Sequence, residues 1–140
     1  MAFHAYLFFG TNCAEAFERY HEIFGGELLV MRMKDAPGAE DVPPEQADLT
    51  IHAALTYPDG NLLMGSDDPT TDSFGPVQGM MVSYSAPDAD DAIRVFAALA
   101  EGGTVNQPLI ETFFSPAFGM CVDRFGTPWM VSAEQATDPA

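Results

Sequence analysis

Two stretches of the chain are versions of one hairpin, and this duplication limits the possible folds more than any other feature. The clearer version is Val122-Asp123-Arg124-Phe125-Gly126-Thr127-Pro128-Trp129-Met130-Val131-Ser132. It reads as a strand, a tight turn closed by Gly126, and a second strand with Trp129 and Val131 on one face. The earlier version is Thr56-Tyr57-Pro58-Asp59-Gly60-Asn61-Leu62-Leu63-Met64-Gly65-Ser66. Placing Gly60 on Gly126 puts Leu63 on Trp129 and Met64 on Met130. Two helical stretches repeat as well, Ala16 on Ala92, Phe17 on Ile93 and Tyr20 on Phe96, each stopped by a glycine pair, Gly25-Gly26 and Gly102-Gly103. A repeat of roughly 65 to 75 residues is too long for a solenoid. It implies two fused modules whose sheets together enclose a cavity.

Each module reads strand-helix-strand-strand-strand, an α+β domain of two βαβββ modules. The first spans about residues 1–67, the linker about 68–77 and the second module about 78–134. In the first, Phe3 to Phe9 is an apolar strand, and Thr11 or Asn12 caps a helix from Cys13 whose stripe is Ala16, Phe17, Tyr20, Ile23 and Phe24. Glu27 to Lys34 and Leu49 to Tyr57 are strands separated by a Pro-rich loop, Asp35 to Asp48, with five acidic residues. Thr50, His52, Ala54 and Thr56 share one face of the second of these strands. In the second module, Gln78 to Ser85 is a strand and Pro87-Asp88 opens a helix with Ala89, Ala92, Ile93, Phe96 and Leu99 inward. Thr104 to Leu109 is a strand closed by Pro108, and the tail after Glu134 is loose.

Composition excludes several function classes. Net charge is −16, and the acidity is spread: three basic against twelve acidic residues up to Thr70, two against nine after it. Such a field repels phosphate backbones and anionic membranes, and favours cationic ligands. No apolar run reaches the ~18 residues of a membrane span. The N-terminus lacks the basic lead of a secretory signal, so the expected compartment is cytoplasmic. Cys13 and Cys121 have no CxxC partner or neighbouring His and read as free thiols.

A set of short motifs spans nearly the whole chain. They are Ala5-Tyr6-Leu7-Phe8-Phe9, Glu15-Ala16-Phe17 with Tyr20 and Phe24-Gly25-Gly26, His52-Ala53 with Leu55, and Leu63-Met64-Gly65-Ser66-Asp67. The second module adds Leu99-Ala100-Glu101-Gly102-Gly103, Pro108-Leu109, Glu111-Thr112-Phe113, and Phe118-Gly119 through Asp123-Arg124-Phe125-Gly126 to Pro128-Trp129-Met130. Together they resemble the PhnB-like branch of the vicinal-oxygen-chelate superfamily, which includes glyoxalase I, bleomycin-resistance proteins and extradiol dioxygenases. The resemblance implies a glyoxalase-like cupped sheet, a homodimer and a small-molecule ligand. Some members of the branch carry an old label, 3-demethylubiquinone 3-methyltransferase.

Metal enzymes of that superfamily place a His or Glu ligand on the first and last strand of each module. The positions implied here are Ala5, Met64, Met80 or Met81, and Met130, none of them a hard-metal ligand. His4 lies one residue off, which on a strand is the opposite face. The methionines read as core filler, so no metal and no cofactor is expected. No glycine cluster follows a strand to hold a methyl donor, and no nucleophile elbow, P-loop or dinucleotide fingerprint is present.

The remaining polar candidates are His52, mid-strand among small residues, and Glu111, at a strand end before Thr112-Phe113-Phe114. Both are candidates for acid-base work as well as for ligand binding. Ser66, Asp67, Phe114 and Trp129 complete the expected ligand contacts, although a turn cap for Asp67 and a core place for Trp129 compete with that role. Arg124 reads as an ion partner of Asp123 and His21 as exposed. The leading expectation is a metal-free small-molecule binding or sequestering protein. The alternatives are a lyase, isomerase or dioxygenase using a divalent metal or His52 and Glu111, a methyltransferase, or a pseudoenzyme that binds another protein.

Overall fold

Each module folds as one four-stranded sheet with one helix on its back. The structure, a computed structural model, describes residues 1–68 and 77–135. The first unit runs β1 (Ala5–Phe9), α1 (Cys13–Phe24), β2 (Glu27–Arg32), β3 (Thr50–Thr56) and β4 (Leu62–Asp67). The second runs β5 (Val82–Ala86), α2 (Ala89–Ala100), β6 (Thr104–Ile110), β7 (Phe118–Val122) and β8 (Pro128–Ala133). Strand orders are β1-β4-β3-β2 and β5-β8-β7-β6. In each sheet the first and last strands of the module pair in parallel and the others antiparallel. This is the α+β arrangement of two βαβββ modules expected from the hairpin repeat, and the chain divides into two units accordingly. Most of the expected linker and the end of the tail lie outside the described residues.

α1 forms because Cys13, Ala16, Phe17, Tyr20 and Ile23 recur every three or four residues and bury one face against β2, β3 and β4. Its start is not capped as expected. Asn12 makes no side-chain cap; the Asp67 carboxylate, from the end of β4, accepts from Cys13 N at 2.9 Å and from Thr50 N at 2.9 Å. An acceptor 54 positions away satisfies an orphan helix donor and ties α1, β3 and β4 together. At the other end Gly25 takes a positive φ of 67° and donates to His21 O, while His21 Nε2 lies 3.1 Å from Gly26 O. α2 starts on an ordinary cap, Asp88 accepting from Asp91 N at 2.8 Å.

The two helices do not seat identically. Phe17 packs onto Gly65 of β4, where a Cβ would stand 2.7 Å from the ring. In the second unit Val131 occupies the register position of Gly65, and the glycine is Gly119 on β7, under Phe96. On α2 Val95 is buried and Ile93, expected inward, is 55% exposed. Three further expectations change. β5 begins at Val82, not Gln78, leaving Met80 and Met81 before the strand. β6 continues through Pro108 to Ile110, as an edge strand with register shifts can. A 3₁₀ turn at Met33–Asp35 leads into the Asp35–Asp48 loop, which contains two more and is pinned at its base by Met33 N to Leu49 O, Lys34 N to Ala47 O and a Lys34–Asp48 ion pair.

Candidate functional site

The face of the first sheet away from α1 carries its most accessible aromatic chemistry. Register fixes which residues share that face. Tyr6 pairs with Met64, Met64 with Ala54 and Ala54 with Leu29, which makes one row across all four strands. Phe8 pairs with Ser66 in the next row, and Met31 with His52. Leu7 and Phe9 point the other way and are buried. Tyr6 and Phe8 are 37% and 53% exposed. The Tyr6 and Phe8 ring centroids are 5.2 Å apart, those of Tyr6 and His52 5.9 Å. The Tyr6 hydroxyl reaches His52 Nδ1 at 3.2 Å. A phenol, an imidazole, a phenyl ring and a thioether therefore share one open surface.

This register corrects the expected first-strand position. Ala5 pairs with Leu63 on the helix side, so the residue that faces outward beside Met64 is Tyr6. In the second sheet the matching pair is Ser83 with Met130, while Trp129 pairs with Val82. The positions that the resemblance implies for a metal thus hold a phenol and a thioether in one unit and a hydroxyl and a thioether in the other. Among the described residues no three His, Cys, Asp or Glu side chains gather as a ligand set. These donors do not fit a hard divalent cation. Sequence reasoning missed Tyr6 and Phe8 because β1 is apolar at every position, so no alternation shows which side faces out.

The other expected contacts fall in different places. His52 lies on the open face, half-buried. Ser66 shares that face but is only 7% exposed. Asp67 belongs to the helix side, its two oxygens accepting from backbone N–H groups, as in the competing cap reading. Trp129 is 2% exposed, in a core place, and its indole Nε1 donates to Asp123 at 2.9 Å. Asp123 turns inward, and the Arg124 guanidinium lies over the Phe125 ring at 4.8 Å. Glu111 is exposed just past β6. Phe114 stacks edge-on between Phe113 and Phe118, centroids 5.1 Å from each. That loop is held by Ser115 Oγ, which accepts from Ala133 N at 3.1 Å, and by Gln135 Nε2 on Phe113 O at 2.9 Å.

Both cysteines are free and buried. Burial, with Asp67 adding and Arg32 opposing, pushes the Cys13 thiol up to about 12. Burial and then Asp123 push Cys121 up to about 11. Thiolates are the reactive form. The native protein is therefore expected to resist Ellman's reagent at pH 8 and to release two equivalents of thiol in denaturant. Fast labelling of either thiol without denaturant would show that its helix or strand opens locally.

Comparison with known proteins places the chain in a family. Residues 2–131 match the model of the Glyoxalase/Bleomycin resistance protein/Dioxygenase superfamily. The structure of protein PA1353 from Pseudomonas aeruginosa is similar at a TM-score of 0.85 and 39% identity, covering 97% of this chain and 99% of that one. Protein YjdN of Escherichia coli is 28% identical over 136 residues, 91% of each chain. A structure described as putative 3-demethylubiquinone-9 3-methyltransferase, PhnB protein, from Bacillus cereus has a TM-score of 0.78 at 24% identity, covering 95% of this chain and 99% of that one. That last likeness is one of fold. The match over nearly the full length and the βαβββ repeat lead to one conclusion: the chain belongs to the Glyoxalase/Bleomycin resistance protein/Dioxygenase superfamily, with its glyoxalase-like α+β fold.

Proposed function

We propose that the protein binds a small molecule without a metal, as a sequestering or carrier protein does, using the open face of the first sheet. The observation that carries this reading is the Tyr6–His52 hydrogen bond set among Phe8 and Met64 on an accessible surface. Apolar and aromatic surface supplies the contact area, and one polar pair orients the ligand. A planar aromatic ligand, neutral or cationic, suits it: ring faces attract cations, and a net charge of −16 turns anions away. The aromatic trio of the second unit, with Glu111 at the base of its loop, suits the same ligand chemistry, Glu111 anchoring a positive end.

A thermal-shift screen of aromatic amines, neutral aromatics and aromatic acids tests the reading. Ligand at a hundredfold excess over its Kd stabilises by about 2.7 kcal/mol, a rise of several degrees for a domain of this size. The amines and neutral compounds are expected to raise Tm and the acids to leave it unchanged, with Phe8→Ala halving the shift or more. No response to any compound, or stoichiometric zinc, nickel, manganese or iron in protein purified without a tag, would defeat the proposal.

A further inference from the structure

We infer that the open face of the first sheet holds a planar organic cation in exchange for one proton on His52, gripping the cation while the imidazole is neutral and releasing it once the imidazole is charged. The inference rests on that face being the ligand platform. His52 is placed for such an exchange. Its Nδ1 meets the Tyr6 hydroxyl at 3.2 Å, and its Nε2 makes no hydrogen bond among the described residues. The imidazole is half-buried, and the Tyr6 ring, 5.9 Å away between centroids, is 37% exposed. A cation over the Tyr6 ring therefore sits beside the imidazole.

The groups around His52 leave its charge uncompensated. Its face carries Met31 on β2, Met64 and Ser66 on β4, and Tyr6 and Phe8 on β1, none of them an acid or a base apart from the phenol. α1 packs on the other face of the sheet. Beyond Met31, Arg32 and Lys34 both bond to Asp48. Within the four strands the carboxylate on the open face is Glu27, which pairs with Thr56 in line with the Leu29–Ala54 pair. Glu27 precedes Met31 by four positions on β2, about 13 Å of strand. It is too far to neutralise an imidazolium, yet it lies past the Tyr6 row, where it draws the positive end of a ligand across the rings.

Protonation alters this site in two ways of the same sign. Imidazole is the side chain whose charge changes between pH 5 and 8. In the neutral tautomer with Nδ1 bare, Tyr6 O–H donates to Nδ1 and the phenol oxygen offers its lone pairs to the ligand. A proton taken up from water fills Nδ1. Nδ1–H then donates to the phenol oxygen, and Tyr6 O–H turns outward as a donor. The cation now meets the positive end of a hydroxyl and a charged ring. Two unit charges ~7 Å apart weaken binding by a factor that runs from threefold in bulk water to fiftyfold at protein-surface screening. About tenfold is the expected effect. By reciprocity, a bound cation opposes protonation of His52 by the same factor.

Thioflavin T, a planar aromatic cation of fixed charge, is the probe, and N-phenyl-1-naphthylamine is the neutral control. Their affinities would be measured by fluorescence titration at pH 8 and pH 5.5 with the intact chain, His52→Gln and His4→Gln. Carboxylates that begin to take up protons weaken cation binding in all three proteins, so the readout is the difference between wild type and variant. Wild type is expected to lose about tenfold more affinity for thioflavin T than His52→Gln does, His4→Gln to behave as wild type, and the neutral probe to change less than twofold. A loss equal in wild type and His52→Gln, or a loss abolished by His4→Gln, would overturn the exchange and leave the binding reading intact. So would an equal loss for the neutral probe. Failure of both probes to bind at pH 8 would overturn the exchange together with the platform it rests on. If His52→Gln does not fold, proton NMR of the wild type decides, its His52 ring signal found by elimination with His4→Gln and His21→Gln. His52 is expected to take up its proton about one pH unit lower with thioflavin T bound, that being the tenfold factor, and an unmoved titration would overturn the exchange.

Discussion

Asp123→Ala is expected to destabilise the second unit by about 4 kcal/mol, since a buried donor left without its acceptor costs roughly 1–3 kcal/mol and this change strands two buried donors and a third that is partly buried. Oδ1 of Asp123 accepts from Phe125 N at 2.9 Å and Thr127 N at 3.0 Å, and Oδ2 accepts from the Trp129 indole at 2.9 Å. The carboxylate, Thr127 and Trp129 are all buried, so water cannot replace the lost acceptor. Charge strengthens each of these bonds. The repeat shows why the first hairpin can do without the arrangement. Its counterparts of Asp123 and Trp129 are Tyr57 and Leu63, and leucine brings no N–H to satisfy. That turn uses exposed Asp59, which accepts from Asn61 N at 2.9 Å. Asp123 is thus the partner that a tryptophan in the core requires. Urea unfolding monitored by Trp129 fluorescence measures the loss. Asp123→Asn should recover part of it, having one acceptor oxygen in place of two. A loss below about 1 kcal/mol in Asp123→Ala would mean that packing alone holds the hairpin.

The same repeat explains how much could be read from the chain alone. Hairpin and helix periodicities act over a few residues, so the succession of strands and helices along each module followed directly from local patterns. Facing was legible where residues alternate, as in β3, where His52 and Ala54 were assigned to one side. It was not legible in β1, where Tyr-Leu-Phe-Phe is apolar on both sides and only pairing with Met64 shows which ring is outside. The stripe read for α2 held Ile93, whereas Val95 is the buried residue. Phe96 packs on Gly119, a gap on another strand that no helical pattern encodes. The Tyr6–His52 bond joins residues 46 apart and was likewise hidden. His52 was found because a histidine among small residues on a strand leaves room; its partner required tertiary structure.

Asp67 brings these questions of reading and role to one measurement. It follows Ser66 at the end of β4, which made a ligand contact a reasonable expectation, yet its side chain is on the helix side. Its two oxygens hold Cys13 N and Thr50 N, each at 2.9 Å. Asp67→Ala strands both buried donors and removes a negative charge from the start of α1, where the helix dipole favours one. Two stranded donors at roughly 1–3 kcal/mol each give an expected loss of about 3 kcal/mol. Asp67→Asn is expected to restore less than half of it: one end of the amide still accepts, but its NH₂ meets the other backbone N–H donor head-on. The ligand prediction runs the other way. Tyr6, Phe8 and His52 are on the opposite face of the sheet, so Asp67→Ala, assayed well below its lowered melting temperature, should bind the aromatic amine that gives the largest thermal shift within about threefold of wild type. A variant that melts lower but binds equally makes Asp67 a clamp between helix and sheet. A variant that keeps its melting temperature and loses binding would return Asp67 to the ligand and require a site on the helix side of β4.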